Sequence, residues 1–235
     1  TGKSGIIFSQ ERKDAGFRSA LCADVERPDL KPFIPRNLRH FMPEEAQYAY
    51  MATRSALENA KLDQDYIDRN EIGIIYGNDS VAEATMQALD KFREFKDTSA
   101  CGSGAIFQSM NSTVTMNLAC LFKLRGINLT ASAACASGSQ AIGLAYTLIR
   151  SGMQDCIICG GAQETNLYSV ASFDGIQSFS IREDNPAKAS RPFDRDRDGL
   201  VPGGGAATVI IESYEHAVKL SLIHISEPTR RSYIS

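Results

Sequence analysis

Three runs in this chain are apolar almost without a break: "EIGIIYGN" (71–78), "DCIICGG" (155–161) and "AATVIIES" (206–213). A shorter run, "INLTAS" (127–132), has the same extended character. Strands without polar alternation must be covered on both faces, so they belong in a parallel or mixed sheet between layers of helix. Amphipathic segments precede and separate them: 43–62, 80–95, 109–126 and 137–152. Pro43 and two glutamates open the first helix. Gly126 and Gly152 are read as stops for the third and fourth. In the fourth, Ile142, Ala145, Tyr146 and Ile149 are expected on one buried face. Strands alternating with helices give an α/β fold class with a mixed, mostly parallel sheet.

The chain has 235 residues, 43% of them hydrophobic, enough for one substantial core or two small ones. A net charge of −3 and an isoelectric point near 5.7 argue against a general nucleic-acid binder. No apolar run nears the ~20 residues of a membrane span, and no secretory leader opens the chain. Six cysteines (22, 101, 120, 135, 156 and 159) are scattered through apolar segments. That distribution fits a reducing cytoplasm better than a disulfide framework. The chain starts at Thr1, and the composition shifts after Lys219. Residues 1–219 are read as one domain truncated at both ends. Residues 220–235, "LSLIHISEPTRRSYIS", resemble a translated sequencing adapter and are set apart.

Cys135, in "TASAACASGSQAIG" (130–143), carries the most chemistry. It stands where a strand gives way to a helix, among alanines, serine and glycine. A helix N-terminus there offers free N–H groups and partial positive charge, which favour a thiolate. The same N–H groups can hold an oxyanion on an attacked thioester. A small buried core residue is the competing reading, and these residues alone leave both open.

Further segments decide between them. "RHFMPEEAQYAYMATRSALENAKL", "DCIICGGAQE" and "SFDGIQSFSIREDNPAKASRPFDRDRDGLVPGGGAATVIIESYEHA" occur in the same order around the cysteine. Together they resemble the β-ketoacyl synthases, the condensing enzymes of fatty-acid and polyketide synthesis, from about Gly5 to Lys219. The resemblance implies the N-terminal half of a thiolase-like fold, without its first strand. It implies that Cys135 accepts an acyl group from acyl carrier protein, and that malonyl carrier protein then loses carbon dioxide and condenses with it. The family's two histidines, lysine and carboxylate lie in the other half, so this chain is expected not to condense substrates alone. His40, His216 and His224 are read as surface residues. No cofactor and no metal site are expected.

The resemblance also puts Met110 and Phe173 near an acyl pocket, although core packing explains both equally well. Arg36 and Arg39, with Lys91, Arg93 and Lys96, form two basic stretches that could steer acidic carrier protein, or serve only solubility. A homodimer is implied, with "DCIICGG" as the strand pairing across the two-fold axis. "CIIC" reads as core, because residues three apart in a strand face opposite sides. "GGG" (203–205) precedes a strand and is read as close-packing glycine. "RPFDRDRDG" is read as a loop tied by local ion pairs. A polyketide or aryl-polyene condensing enzyme remains an alternative, as does a non-catalytic chain-length partner subunit. The presence of Cys135 weighs against the last.

Overall fold

A computed structural model describes residues 3–219. The segment 220–235, with His224, lies outside the described residues. The chain runs through β1 (Ile7–Phe8), α1 (Gln10–Asp14), β2 (Leu21–Cys22), α2 (Arg36–Arg39), α3 (Glu44–Asn59), α4 (Gln64–Arg69) and β3 (Gly73–Gly77). It continues through α5 (Glu83–Phe95), α6 (Ala105–Gln108), α7 (Thr113–Phe122), β4 (Asn128–Ala131) and α8 (Ser137–Arg150). It ends with β5 (Cys156–Gln163), α9 (Leu167–Gly175), β6 (Gly205–Glu212) and α10 (Tyr214–Lys219).

The main sheet has the order β4-β3-β5-β6. β3 is parallel to β4 and β5, and β6 closes antiparallel on β5. The expected mixed, mostly parallel sheet is therefore present. Alternation along each strand divides the core into two layers. On one face Ile74, Tyr76, Cys156 and Ile158 pack with α3 and α7. On the other, Ile75, Ile157 and Cys159 meet Ala141 and Ala145 of α8. Cys156 and Cys159 thus face opposite layers, as the strand period requires.

Three expectations change. "DCIICGG" cannot be the strand at a two-fold axis, because β5 is paired along both edges, to β3 and to β6. The third helix stops at Phe122, since Lys123 turns left-handed (φ 56°, ψ 41°). Gly126 instead permits close packing: a Cβ there would lie 2.1 Å from the Gln154 side-chain oxygen. On α8, Ala141 and Ala145 are buried, while Ile142 and Tyr146 are exposed. The inner face carries the small residues because the helix lies close on the sheet.

That closeness is set by glycines. A Cβ at Gly77, the last residue of β3, would lie 2.4 Å from the backbone nitrogen of Gly138. A Cβ at Gly161 of β5 would lie 3.0 Å from the Gly138 Cα. The first turn of α8 therefore rests directly on two strand ends. Gly77→Ala should destabilise the protein by about 1–3 kcal/mol, the range for overpacking a tight contact. Thermal unfolding of the variant is the check, and an unchanged melting temperature would show that the contact has slack.

The start of α3 concentrates acid. Glu44 accepts hydrogen bonds from Tyr48 Oη at 2.9 Å and from Arg27 Nη2 and Asn166 Nδ2, each at 3.1 Å. Glu164 accepts from the Ala82 N–H at 2.5 Å and Asn166 Nδ2 at 2.7 Å, and so caps the entry to α5. Glu45 is fully buried, and neither carboxyl oxygen has a hydrogen-bond partner among the described residues. Burial, reinforced by the charges of Glu164, Glu44 and Glu83, raises its pKa to about 8. A raised acid binds a proton in the folded state that the unfolded chain has released. Its contribution is complete below the unfolded value and is lost as pH rises through about 8. Glu45→Gln should therefore stabilise the protein at pH ~9 relative to pH ~4 by on the order of 3 kcal/mol, at 1.36 kcal/mol per unit less relaxation. Denaturant unfolding of both proteins at the two pH values measures it; parallel pH curves would refute it.

Candidate active site

Cys135 lies in the five-residue connection, 132–136, between β4 and α8. Ala134 takes a left-handed backbone (φ 48°), a conformation that costs a residue with a Cβ roughly 1–2 kcal/mol. The turn is over-determined by hydrogen bonds. Ser137 Oγ accepts the Ala133 N–H at 2.8 Å and donates to the Ala134 carbonyl at 2.7 Å. Asp79, two residues beyond β3, accepts from Ser132 Oγ at 2.9 Å and from the Ala134 N–H at 3.0 Å. The turn is thus pinned both to its own helix and to the neighbouring strand.

Cys135 is exposed, and the buried-filler reading of it falls. Its own N–H has no acceptor among the described residues. α8 begins without a side-chain cap, at Ala136. A 14-residue helix therefore presents an uncapped N-terminus directly after the thiol. Cys135 lines an open cleft of about 710 Å³ with Gly161, Gly204, Tyr48, Met51 and Asp79. The cleft sits at the C-terminal ends of the parallel strands, where α/β sheets place their ligands. Small residues on three sides leave room for an extended thioester to reach the sulfur.

The other sequence-derived candidates lie elsewhere. Phe173 on α9 is half exposed and stacks on Phe179 at 6.4 Å. Met110, in the turn before α7, is 37% exposed. Neither lines the Cys135 cleft. Arg36 and Arg39 border a second hollow, of about 820 Å³, with His40 and Ser103. Arg39 Nε also donates to the Ile34 carbonyl at 2.9 Å. Lys91, Arg93 and Lys96 are exposed along the end of α5, and Arg93 reaches Asp90 at 3.8 Å.

No histidine lines the cleft among the described residues. His40 follows α2, with Nε2 3.3 Å from Ser103 Oγ. His216 departs from expectation: its side chain is only 14% exposed and is held between Glu212 and Tyr66. Gly203 and Gly204 do precede β6, Gly205 is its first residue, and all three border the cleft. In "RPFDRDRDG", Arg191 pairs with Asp198 at 3.1 Å, and Asp198 accepts from Ser180 Oγ at 2.7 Å.

Sequence reasoning missed Asp79 and Ser137. An Asn-Asp pair directly after a strand was the available signal for the first. The second needed the three-dimensional turn.

The chain is similar to known proteins over most of its length. The model of the β-ketoacyl synthase N-terminal domain matches residues 18–217. A 3-oxoacyl-acyl-carrier-protein synthase 1 of Haemophilus influenzae is 36% identical over 92% of this chain and 54% of its own length. Its Escherichia coli counterpart is 34% identical over 92% of this chain and 54% of its own length. The chain therefore spans about half the length of these curated relatives. Among solved structures, a β-ketoacyl synthase from Burkholderia phymatum superposes with a TM-score of 0.85 at 33% identity, covering 94% of this chain and 55% of that one. A type II polyketide ketosynthase, in complex with its acyl-carrier protein, gives 0.77 at 25% identity over 94% of this chain and 53% of that one. A strained, helix-backed cysteine turn at the mouth of a small-residue cleft is thus set in a matching sequence and a matching fold: the chain belongs to the β-ketoacyl synthase family, of which it carries the N-terminal domain.

Proposed function

We propose that the protein carrying this chain is a condensing enzyme of fatty-acid synthesis, and that Cys135 is its acyl-accepting nucleophile. One observation carries the reading: an exposed thiol with a free N–H, held by a left-handed alanine at the N-terminus of α8. In the first half-reaction the thiolate attacks an acyl carrier-protein thioester and the carrier thiol leaves. The Cys135 N–H supplies one oxyanion donor. In the second, malonyl carrier protein loses carbon dioxide, and its carbanion attacks the acyl-enzyme. The product is a β-ketoacyl thioester two carbons longer, and the Cys135 thiolate is freed. Splitting the reaction at a covalent intermediate predicts ping-pong kinetics.

The histidines that assist decarboxylation in the family are assigned outside the described residues, because none of these lines the cleft with Cys135. This segment alone is therefore expected to take an acyl group without condensing it. Met110 and Phe173 keep a pocket-lining role only where the remainder of the protein closes over their exposed surfaces. The homodimer is assigned to an edge strand of the sheet, β4 or β6, since β5 has no free edge. The polyketide reading is favoured by the 25% identical ketosynthase, and the fatty-acid reading by the 36% identical curated relative.

Cys135→Ala in the full-length protein should lower condensation by on the order of 10³-fold or more, as loss of a nucleophile does elsewhere. Mass spectrometry after incubation with acyl carrier protein should find the acyl group on Cys135 and nowhere in the variant. An adduct on another residue, or undiminished turnover, overturns the assignment. For carrier recognition, reversing the charge of Arg36 and Arg39 together should raise KM for carrier protein severalfold and leave kcat near its original value. An unchanged KM removes that hollow from the docking surface.

A further inference from the structure

A second cluster of chemistry-bearing groups lies at the opposite end of the sheet. Cys156 is the first residue of β5 and Glu212 the last of β6, and the two are direct cross-strand partners. Their side chains therefore leave the sheet on the same face. His216 follows Glu212 by four residues, in α10, with its Nδ1 3.1 Å from Glu212 Oε1. The thiol sulfur, a carboxylate oxygen and an imidazole nitrogen all lie within 4.8 Å of one another. Tyr66, from α4, hydrogen-bonds to His216 Nε2 through its hydroxyl. Four elements thus converge on one half-buried point.

We infer that Cys156, Glu212 and His216 form a binding site for a divalent cation of the zinc class, separate from the Cys135 cleft. The donor set is sulfur, nitrogen and oxygen, the combination that suits zinc rather than magnesium or calcium. Charge supports the same conclusion. A thiolate and a carboxylate cancel a divalent ion, so the occupied site is neutral, as a buried site must be. A tetrahedral ion with ordinary bond lengths needs ligand atoms roughly 3–4 Å apart. The present spacing requires only side-chain closure, with no movement of the strands.

His216 is also pre-oriented. With Nε2 engaged by Tyr66, Nδ1 is the nitrogen turned toward Glu212, which is the arrangement that outer-shell partners impose on metal-ligating histidines. The surroundings are anionic. Asp155 accepts from Ser213 Oγ at 3.1 Å beside the cluster. Burial first, and then the Glu212 carboxylate, hold the Cys156 thiol well above its ordinary range. A thiol gives up its proton to bind a metal ion, so affinity should rise with pH.

This inference does not depend on what Cys135 does. The test uses the full-length protein, purified without a histidine tag and stripped of metal, with cobalt(II) as probe. One equivalent should bind and give a sulfur-to-cobalt charge-transfer band in the near ultraviolet. The band should vanish in Cys156→Ser and persist in Cys135→Ser, which separates the site from the exposed thiols. Glu212→Gln and His216→Gln keep the size of the side chains and should weaken binding by at least about tenfold. Circular dichroism on each variant confirms folding, and any variant that unfolds is replaced by the other two. Zinc should compete for the same equivalent and raise the melting temperature of the parent protein. No stoichiometric binding, a band that survives Cys156→Ser, or affinities untouched by both glutamine variants would each overturn the inference.

Discussion

The close approach of α8 to the ends of β3 and β5 is the contact on which the remainder of the site depends. Gly77, Gly138 and Gly161 remove every Cβ from that seam, so backbone meets backbone. Only then can Ala141 and Ala145 lie on the sheet and carry the helix axis across it. The helix in turn fixes where the chain must turn after β4, and the turn must be tight enough to force Ala134 left-handed. Packing energy accumulated along α8 thus holds a local strain at its first residues. Such strain persists only where surrounding contacts over-determine it. Asp79 and Ser137 supply those contacts from the strand side and from the helix side.

Much of this organisation is legible in the sequence. Unbroken apolar runs such as "DCIICGG" specify a covered sheet, and the four helices before and between such runs specify the covering layers. The small residues around Cys135 mark a crowded junction. What sequence could not give was the lateral order of the strands. β5 follows α8 in the chain, yet it inserts between β3 and β6, and this denies it the free edge expected of it. Helix ends were also obscured where lysine rather than glycine adopts the left-handed cap, as Lys123 does. An apolar stripe on α8 pointed toward Ile142 and Tyr146, because hydrophobicity is a weaker guide than size where two backbones nearly touch.

Polar groups were the least predictable. Glu164 reads in sequence as the end of a family motif, and in the fold it caps α5. Arg12 is buried to 1% exposure, with hydrogen bonds to the carbonyls of Leu21 and Thr165 and an ion pair to Asp24 at 2.8 Å. Asp174 receives the N–H groups of Arg18 and Ser19 at 2.7 and 3.1 Å. The contacts to Thr165 and Asp174 join the β1–β2 region to α9 and the turn before it, more than a hundred residues away along the chain. No local pattern announces such partners, since each is a common surface residue type made structural by where the backbone brings it. His216 belongs to the same class.

β6 acts as a ruler between two chemistries. Its eight residues start at Gly205, beside the cysteine cleft, and finish at Glu212, opposite Cys156. A strand has only two faces, so a slip of one residue would turn Glu212 toward the wrong layer. The same slip would move the glycine run away from the cleft. Both ends of the sheet therefore share one register, and selection on either end constrains the alignment of the other.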